Sequence, residues 1–232
     1  MNILQRTRPG ISRQQGGFTL MEAMVSLALS LVVTSAMVVL MANSLGTASR
    51  IIQMTQLTDQ LRNTMSMLTR DIRRANYSAN AAYCYANSDC GVDGSAPQYA
   101  DIAISNNNCI IFGLDRNWNG NASDDGAGGF RLVNVGGVGT IEMWVGGSAP
   151  TCAGNDSDWV AITDPDFMEV TSFIIGNGDS FDQSIPGEAG ATITAYTRQI
   201  DVQLAGRLIR DNTINREIND EIRVRNNVIV KT

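Results

Sequence analysis

Three regimes of hydrophobic and polar positions divide the chain. From Ala23 to Ser49 no charged residue occurs, and the run exceeds the ~20 apolar residues that a helix needs to cross a bilayer. From Ile51 the apolar positions thin to Ile51, Met54, Leu57, Leu61, Met65, Leu68, Ile72 and Ala75. Those gaps of three and four describe one stripe of an amphipathic helix. Gln53, Gln56, Asp59, Gln60, Arg62, Asn63, Arg70 and Arg73 fill the opposite face. No proline lies between Pro9 and Pro97, so the two patterns predict one helix from Phe18 to about Asn76, softened if anywhere at Gly46. Its first half suits a membrane or filament core, and its second half suits a packed sheet.

Beyond about Ser78, Gly, Asn, Asp and Ser separate short apolar runs. Strands are expected at Ile102–Ser105, Cys109–Leu114, Phe130–Val133, Ile141–Val145, Trp159–Ile162, Val170–Ile175, Ile193–Leu208 with an interruption, and Ile222–Val230. Ile200-Asp201-Val202-Gln203-Leu204 alternates as a sheet with one solvated face does. A sheet laid on the amphipathic half of a long helix is an α+β arrangement. Three segments follow: 1–17 as a leader, 18–76 as the helix and 77–232 as a β-rich head.

Charge adds a direction. Arg6, Arg8 and Arg13 precede the apolar run without an acid among them, which keeps that side cytoplasmic and exports the rest. The whole chain carries −6; without the leader, 14 basic and 23 acidic residues leave −9. An acidic body lacks the basic footprint of a general nucleic-acid binder. Histidine is absent and Lys231 is the only lysine, so the commonest general base and the usual hydrolase triads are missing. The glycine-rich stretch at 126–129 lacks the lysine and the strand–helix setting of a phosphate loop, and the one at 136–139 is too short and isolated for a dinucleotide fingerprint. The composition predicts no enzyme. A plain signal peptide cut after Gly46-Thr47-Ala48 is countered by the helical pattern that continues through that point.

Glu22 is the anomaly, a carboxylate at the mouth of the apolar run. Such a charge is expensive at membrane depth unless it is paired or neutralised; the plain alternative leaves it at the headgroup interface. Gly17-Phe18-Thr19-Leu20-Met21-Glu22 resembles the prepilin peptidase site of type IV pilins and type II secretion pseudopilins. The resemblance implies cleavage between Gly17 and Phe18, N-methylation of Phe18, and pairing of Glu22 with the terminal amine of a neighbouring subunit. Met21 stands where many relatives have isoleucine or valine. Further along, Leu68–Ala75 followed by Asn76-Tyr77 resembles the end-of-helix signature of PilW/PulJ-type minor pilins, with Asn76 in place of a glycine. Cys109–Asn117, Phe130-Arg131-Leu132, Trp159 with Ile162-Thr163-Asp164, and Arg223-Val224-Arg225-Asn226 are similar to that family's pattern in the same order.

The resemblance implies a type IV pilin-like fold and a minor pilin that helps assemble a type IV pilus from a priming or tip complex. Its implied partners are other minor and major pilins, prepilin peptidase, the inner-membrane assembly platform and membrane lipid, with no nucleic acid. It would span the inner membrane once with a periplasmic head, and later lie in the pilus or at the cell surface. A type II secretion pseudopilin shares every motif. A helix-anchored periplasmic binding domain is the alternative of another class.

Export favours disulfides among the four cysteines. Three connectivities are open, and Cys84–Cys90 with Cys109–Cys152 is preferred because the first closes a short loop and the second would tie two sheet segments. A zinc site has neither a Cys-x-x-Cys pair nor a histidine to draw on. No cofactor is required, but Asp115-Arg116-Asn117-Trp118-Asn119-Gly120 matches the opening of a calcium loop. Asp115, Asn117, Asn119 and Asn121 would be ligands, with Asp124 and Asp125 supplying charge because Gly126 occupies the twelfth position. An ordinary Asn/Gly turn is the alternative.

Overall fold

The computed structural model describes residues 17–81, 102–120, 128–147, 150–154, 157–187, 190 and 192–231. They form one helix, α1 (Leu20–Arg74), and eleven strands: β1 (Ala103–Ser105), β2 (Cys109–Phe112), β3 (Gly128–Val135), β4 (Val138–Trp144), β5 (Trp159–Ala161), β6 (Met168–Asn177), β7 (Phe181–Pro186), β8 (Thr192–Thr197), β9 (Gln199–Leu208), β10 (Asn215–Arg223) and β11 (Val228–Lys231). The architecture is α+β and type IV pilin-like. The chain separates into two compact units, Met1–Ile51 and Ile52–Thr232. Their boundary falls inside α1 rather than after residue 76, because the amphipathic half of the helix supplies core to the second unit.

In the first unit every described residue is exposed. The run is apolar enough to span a membrane, with a mean hydropathy of 2.4 in its best window. Most of its hydroxyls are satisfied within the helix. Ser26, Ser30, Ser35, Ser44 and Thr47 donate to carbonyls three or four residues back, and Thr34 donates to Ser30 and Leu31. A helix that meets its own polar groups can enter hydrocarbon.

In the second unit, Leu57, Leu61, Thr64, Met65, Leu68 and Ile72 are the buried stripe of α1. The apolar members of this stripe join one core with Phe112, Phe130 and Ile141 from an antiparallel five-stranded meander, β1-β2-β3-β4-β5, and with Val170, Phe173, Ile175, Val202 and Leu204 from the sheet β10-β9-β6. Each fully buried Leu or Phe contributes about 1.5–3 kcal/mol over an exposed one. The sheets meet closely. Ile175 donates its N–H to the Asn107 carbonyl at 2.7 Å, and a Cβ on Gly139 would lie 2.1 Å from the Val170 carbonyl oxygen. The third sheet, β11-β8-β7, adds only a small cluster of Ile229 and Ile193.

Where strands depart from expectation, pairing decided against composition. β7 was not expected, since Asp182, Gln183, Ser184 and Pro186 give it no apolar stripe, yet it pairs β8 and is exposed throughout. The run Ile193–Leu208 breaks at Arg198, and its halves serve different sheets. The expected strand Ile222–Val230 also divides: β10 begins earlier, at Asn215, because it pairs β9 along its length, and β11 joins β8.

The C-terminal end of α1 is fastened from three directions. Asn76 adopts φ +59°, the left-handed conformation that asparagine tolerates after a helix. Its N–H reaches the Gly113 carbonyl at 2.9 Å, and Arg225 N–H reaches the Arg73 carbonyl at 3.1 Å. The Asn226 side-chain amide donates to the carbonyls of Arg74 and Ala75 at 3.0 and 2.9 Å. Asn226→Ala frees two helix-end carbonyls and is expected to cost about 0.5–2 kcal/mol, the range of a lost cap; a urea midpoint shift with unchanged slope would measure it.

Candidate functional site

The N-terminal segment is built around a helix start. Gly17, Phe18 and Thr19 are non-helical and α1 begins at Leu20. Thr19 is the cap: its carbonyl accepts from Glu22 and Ala23 N–H, each at 3.1 Å, and its hydroxyl accepts from Glu22 N–H at 3.3 Å. Thr-x-x-Glu at 19–22 is the sequence of a capping box, a local signal that marks this helix start. The Gly17–Phe18 bond therefore lies outside the helix, between two exposed residues. Glu22 sits in the first turn, where the positive end of the helix dipole favours a carboxylate. Phe18 is 78% exposed, so neither end of the proposed pair is shielded by this chain itself.

The second group of predicted residues lies in the head. A disulfide joins Cys109 to Cys152. Cys152 stands in a turn between β4 and β5 rather than in a strand, so the bridge fastens β2 to a connection and does not tie two sheet segments. The Cys152 and Gly154 carbonyls of that connection accept from the Arg131 guanidinium on β3. Arg131 also pairs Glu142, with Nη2 to Oε2 at 2.8 Å, and its guanidinium carbon lies 4.3 Å from the Trp159 ring centroid. Trp144 meets Trp159 edge-on at 5.4 Å. The Arg131–Glu142–Trp159 cluster was not singled out from the sequence, where the only sign was an arginine between Phe130 and Leu132. Cys84 and Cys90 lie outside the described residues.

Asp115 is buried, and its carboxylate is taken up by the backbone. Oδ2 accepts from Ala79 N–H at 2.7 Å and Gly120 N–H at 3.0 Å, and Oδ1 from Asn119 N–H at 3.1 Å. Asn117 Oδ1 accepts from the same Asn119 N–H at 2.9 Å. Gly120 is left-handed at φ +86°, and a Cβ there would overlap the Asn80 side chain. With Asp115 N–H donating to the Tyr77 carbonyl at 2.8 Å, the loop clamps the chain as it leaves α1. Asn121, Asp124 and Asp125 lie outside the described residues, so no ligand set for calcium is assembled from what is described.

Two family models match the chain. One, described as prepilin peptidase-dependent protein B, matches residues 50–224, and one described as the prokaryotic N-terminal methylation motif matches residues 12–38. No curated protein and no solved structure matches.

Proposed function

We propose, since this chain belongs to the prepilin peptidase-dependent protein B family and carries the N-terminal methylation motif, that it is a minor pilin which helps assemble a type IV pilus from a priming or tip complex. The observation that carries the reading is the capped helix start. A scissile Gly17–Phe18 bond outside the helix leads directly into a fully exposed apolar half-helix. Such a surface needs a cover: lipid before assembly, and the helices of other pilins afterwards.

On this reading prepilin peptidase cuts after Gly17, and Phe18 becomes the methylated N-terminus. Glu22 is then an assembly residue that pairs with the terminal amine of a neighbour. The inner-membrane assembly platform lifts the subunit out of the bilayer, with the head on the periplasmic side. The role is structural, and the head contributes surface rather than catalysis. Deleting the gene is expected to reduce sheared surface filaments severely while secretion of folded exoproteins continues. The converse result, intact filaments and blocked secretion, would overturn the pilus assignment in favour of a pseudopilin.

A further inference from the structure

A groove of about 480 Å³ runs along α1 in the head, lined by Arg62, Arg70, Arg73, Arg74 and Arg225 and by one acid, Asp220. The five arginines are exposed, and they are drawn from 14 basic residues in a body of net charge −9. Arg70 pairs its neighbour Asp71 at 3.1 Å with most of its side chain in solvent. Arg62, Arg73, Arg74 and Arg225 form no ion pair among the described residues. Arg73 and Arg74 lie in the last turn of α1, where cations offset the helix dipole. That account leaves out Arg62, three turns earlier, and Arg225, which comes from the segment after β10. Arg70 and Arg74 are also four residues apart, a spacing at which like charges weaken a helix. A cleft that gathers one sign of charge focuses its field on a ligand of the other.

The backbone fixes the groove independently of those side chains. Arg225 N–H donates to the Arg73 carbonyl, and the Asn226 amide holds the carbonyls of Arg74 and Ala75, so Arg225 is fastened beside the end of α1. Asp220 stands between the two ends. Its Oδ2 accepts the Thr69 hydroxyl at 2.8 Å, and Thr69 lies two turns after Arg62 and one turn before Arg73 on the helix. Its Oδ1 accepts no hydrogen bond among the described residues. Met65 and Ile218 give the groove an apolar floor. The order along it is therefore cation, carboxylate, cation. A bare polyanion would meet repulsion at Asp220, whereas a ligand with a hydroxyl between two anionic groups would donate to it.

We infer that this groove binds a polyol bisphosphate, two phosphate groups joined through a short carbon chain that carries a hydroxyl. Guanidinium forks match phosphate oxygens in pairs. Arg62 takes one phosphate, and Arg73 with Arg225 takes the other. The hydroxyl donates to Asp220, and the carbon chain lies over Met65 and Ile218. Arg62 and Arg73 stand about 16 Å apart along the helix axis, so two arginine side chains reaching inward leave room for a molecule of this size. Diphosphatidylglycerol headgroups and soluble glycerol bisphosphates share this chemistry. The inference concerns a ligand of the head and goes beyond the pilin reading, since it depends on neither cleavage nor assembly.

The test is calorimetric titration of the full chain, purified in a neutral detergent, with two ligands. One is glycerol bisphosphate with its central hydroxyl free, and the other is the matching propanediol bisphosphate, which lacks only that hydroxyl. The glycerol compound should bind about tenfold more tightly, as one hydrogen bond to a charged group provides. Arg73→Gln with Arg225→Gln should weaken both ligands about tenfold or more, and high salt should weaken both as well. Arg62→Gln should reduce glycerol bisphosphate to the affinity of glycerol phosphate. Asp220→Ala should erase the preference between the two bisphosphates. The arginines are exposed, so their variants should keep the melting point of the parent, and the comparison of the two ligands needs no variant at all. Diphosphatidylglycerol added in the same detergent identifies the source. Competition with the soluble ligand supports the inference with a lipid headgroup as occupant, and binding of the soluble ligand without competition supports it with a free bisphosphate. Equal affinity for the two bisphosphates, indifference to the arginine substitutions, or no binding at millimolar ligand would overturn it.

Discussion

Glu22→Ala is expected to leave cleavage between Gly17 and Phe18 intact while removing the subunit from assembled filaments. On the proposed reading the peptidase meets the non-helical segment before α1, and the Thr19 cap bonds that end it use the Glu22 backbone rather than its side chain. On that reading, too, assembly needs the carboxylate. Peptide-bond hydrolysis places a cationic amine on Phe18, at the end of a helix whose dipole is already positive. Carried among apolar helices, that amine costs about 2.5–3.5 kcal/mol if unpaired, by translocon-type scales, which is roughly a hundredfold in incorporation. Glu22→Asp retains charge but shortens the reach, so an intermediate loss is expected. The readout is the ratio of processed protein in sheared filaments to that in the inner membrane.

The second large effect lies in the head. Arg131→Ala is expected to destabilise it by about 3–5 kcal/mol, the cost of breaking a buried ion pair from one side. The Arg131 and Glu142 side chains are 8% and 15% exposed, so Glu142 would be left nearly unsolvated, and the Cys152 and Gly154 carbonyls would lose their donor. At about 2–4 °C per kcal/mol for a domain of this size, the melting point should fall by about 10 °C. Replacing both partners, Arg131→Met with Glu142→Leu, should recover much of that loss, since no lone charge remains. Opening the Cys109–Cys152 bridge with serines removes about 2–4 kcal/mol by the usual estimate. Combined with Arg131→Ala it should fall short of additivity, because bridge and guanidinium hold the same connection.

The long helix was legible because a single chemical preference dominates each half: an uncharged run for the first and a three–four stripe for the second. Even its terminus was marked, by an asparagine at the position after the helix that turns left-handed. The strands with apolar alternation, such as β9, were equally plain. β7 and the first half of β10 were not, because most of their residues are polar and nearly all are exposed. Only pairing with β8 and β9 makes them strands, and a partner far along the chain leaves no local pattern. The same limit explains the site. Gly17, Phe18 and Glu22 form a contiguous motif, whereas Arg131 meets Glu142, Gly154 and Trp159 only after the sheet has formed. Asn226 was noticed as part of a motif, but its purpose, capping α1 about 150 residues upstream, emerged from the fold. Asp115 had two readings in the sequence, and three backbone N–H donors account for the structural one.

The most direct measurement is the N-terminus of the membrane-extracted protein, by intact mass and N-terminal sequencing, from cells with and without prepilin peptidase. The account predicts methylated Phe18 where the peptidase is present and Met1 where it is absent. A terminus at Met1 in both strains, or one near Ser49, would contradict it, and Glu22 would then have no amine to meet.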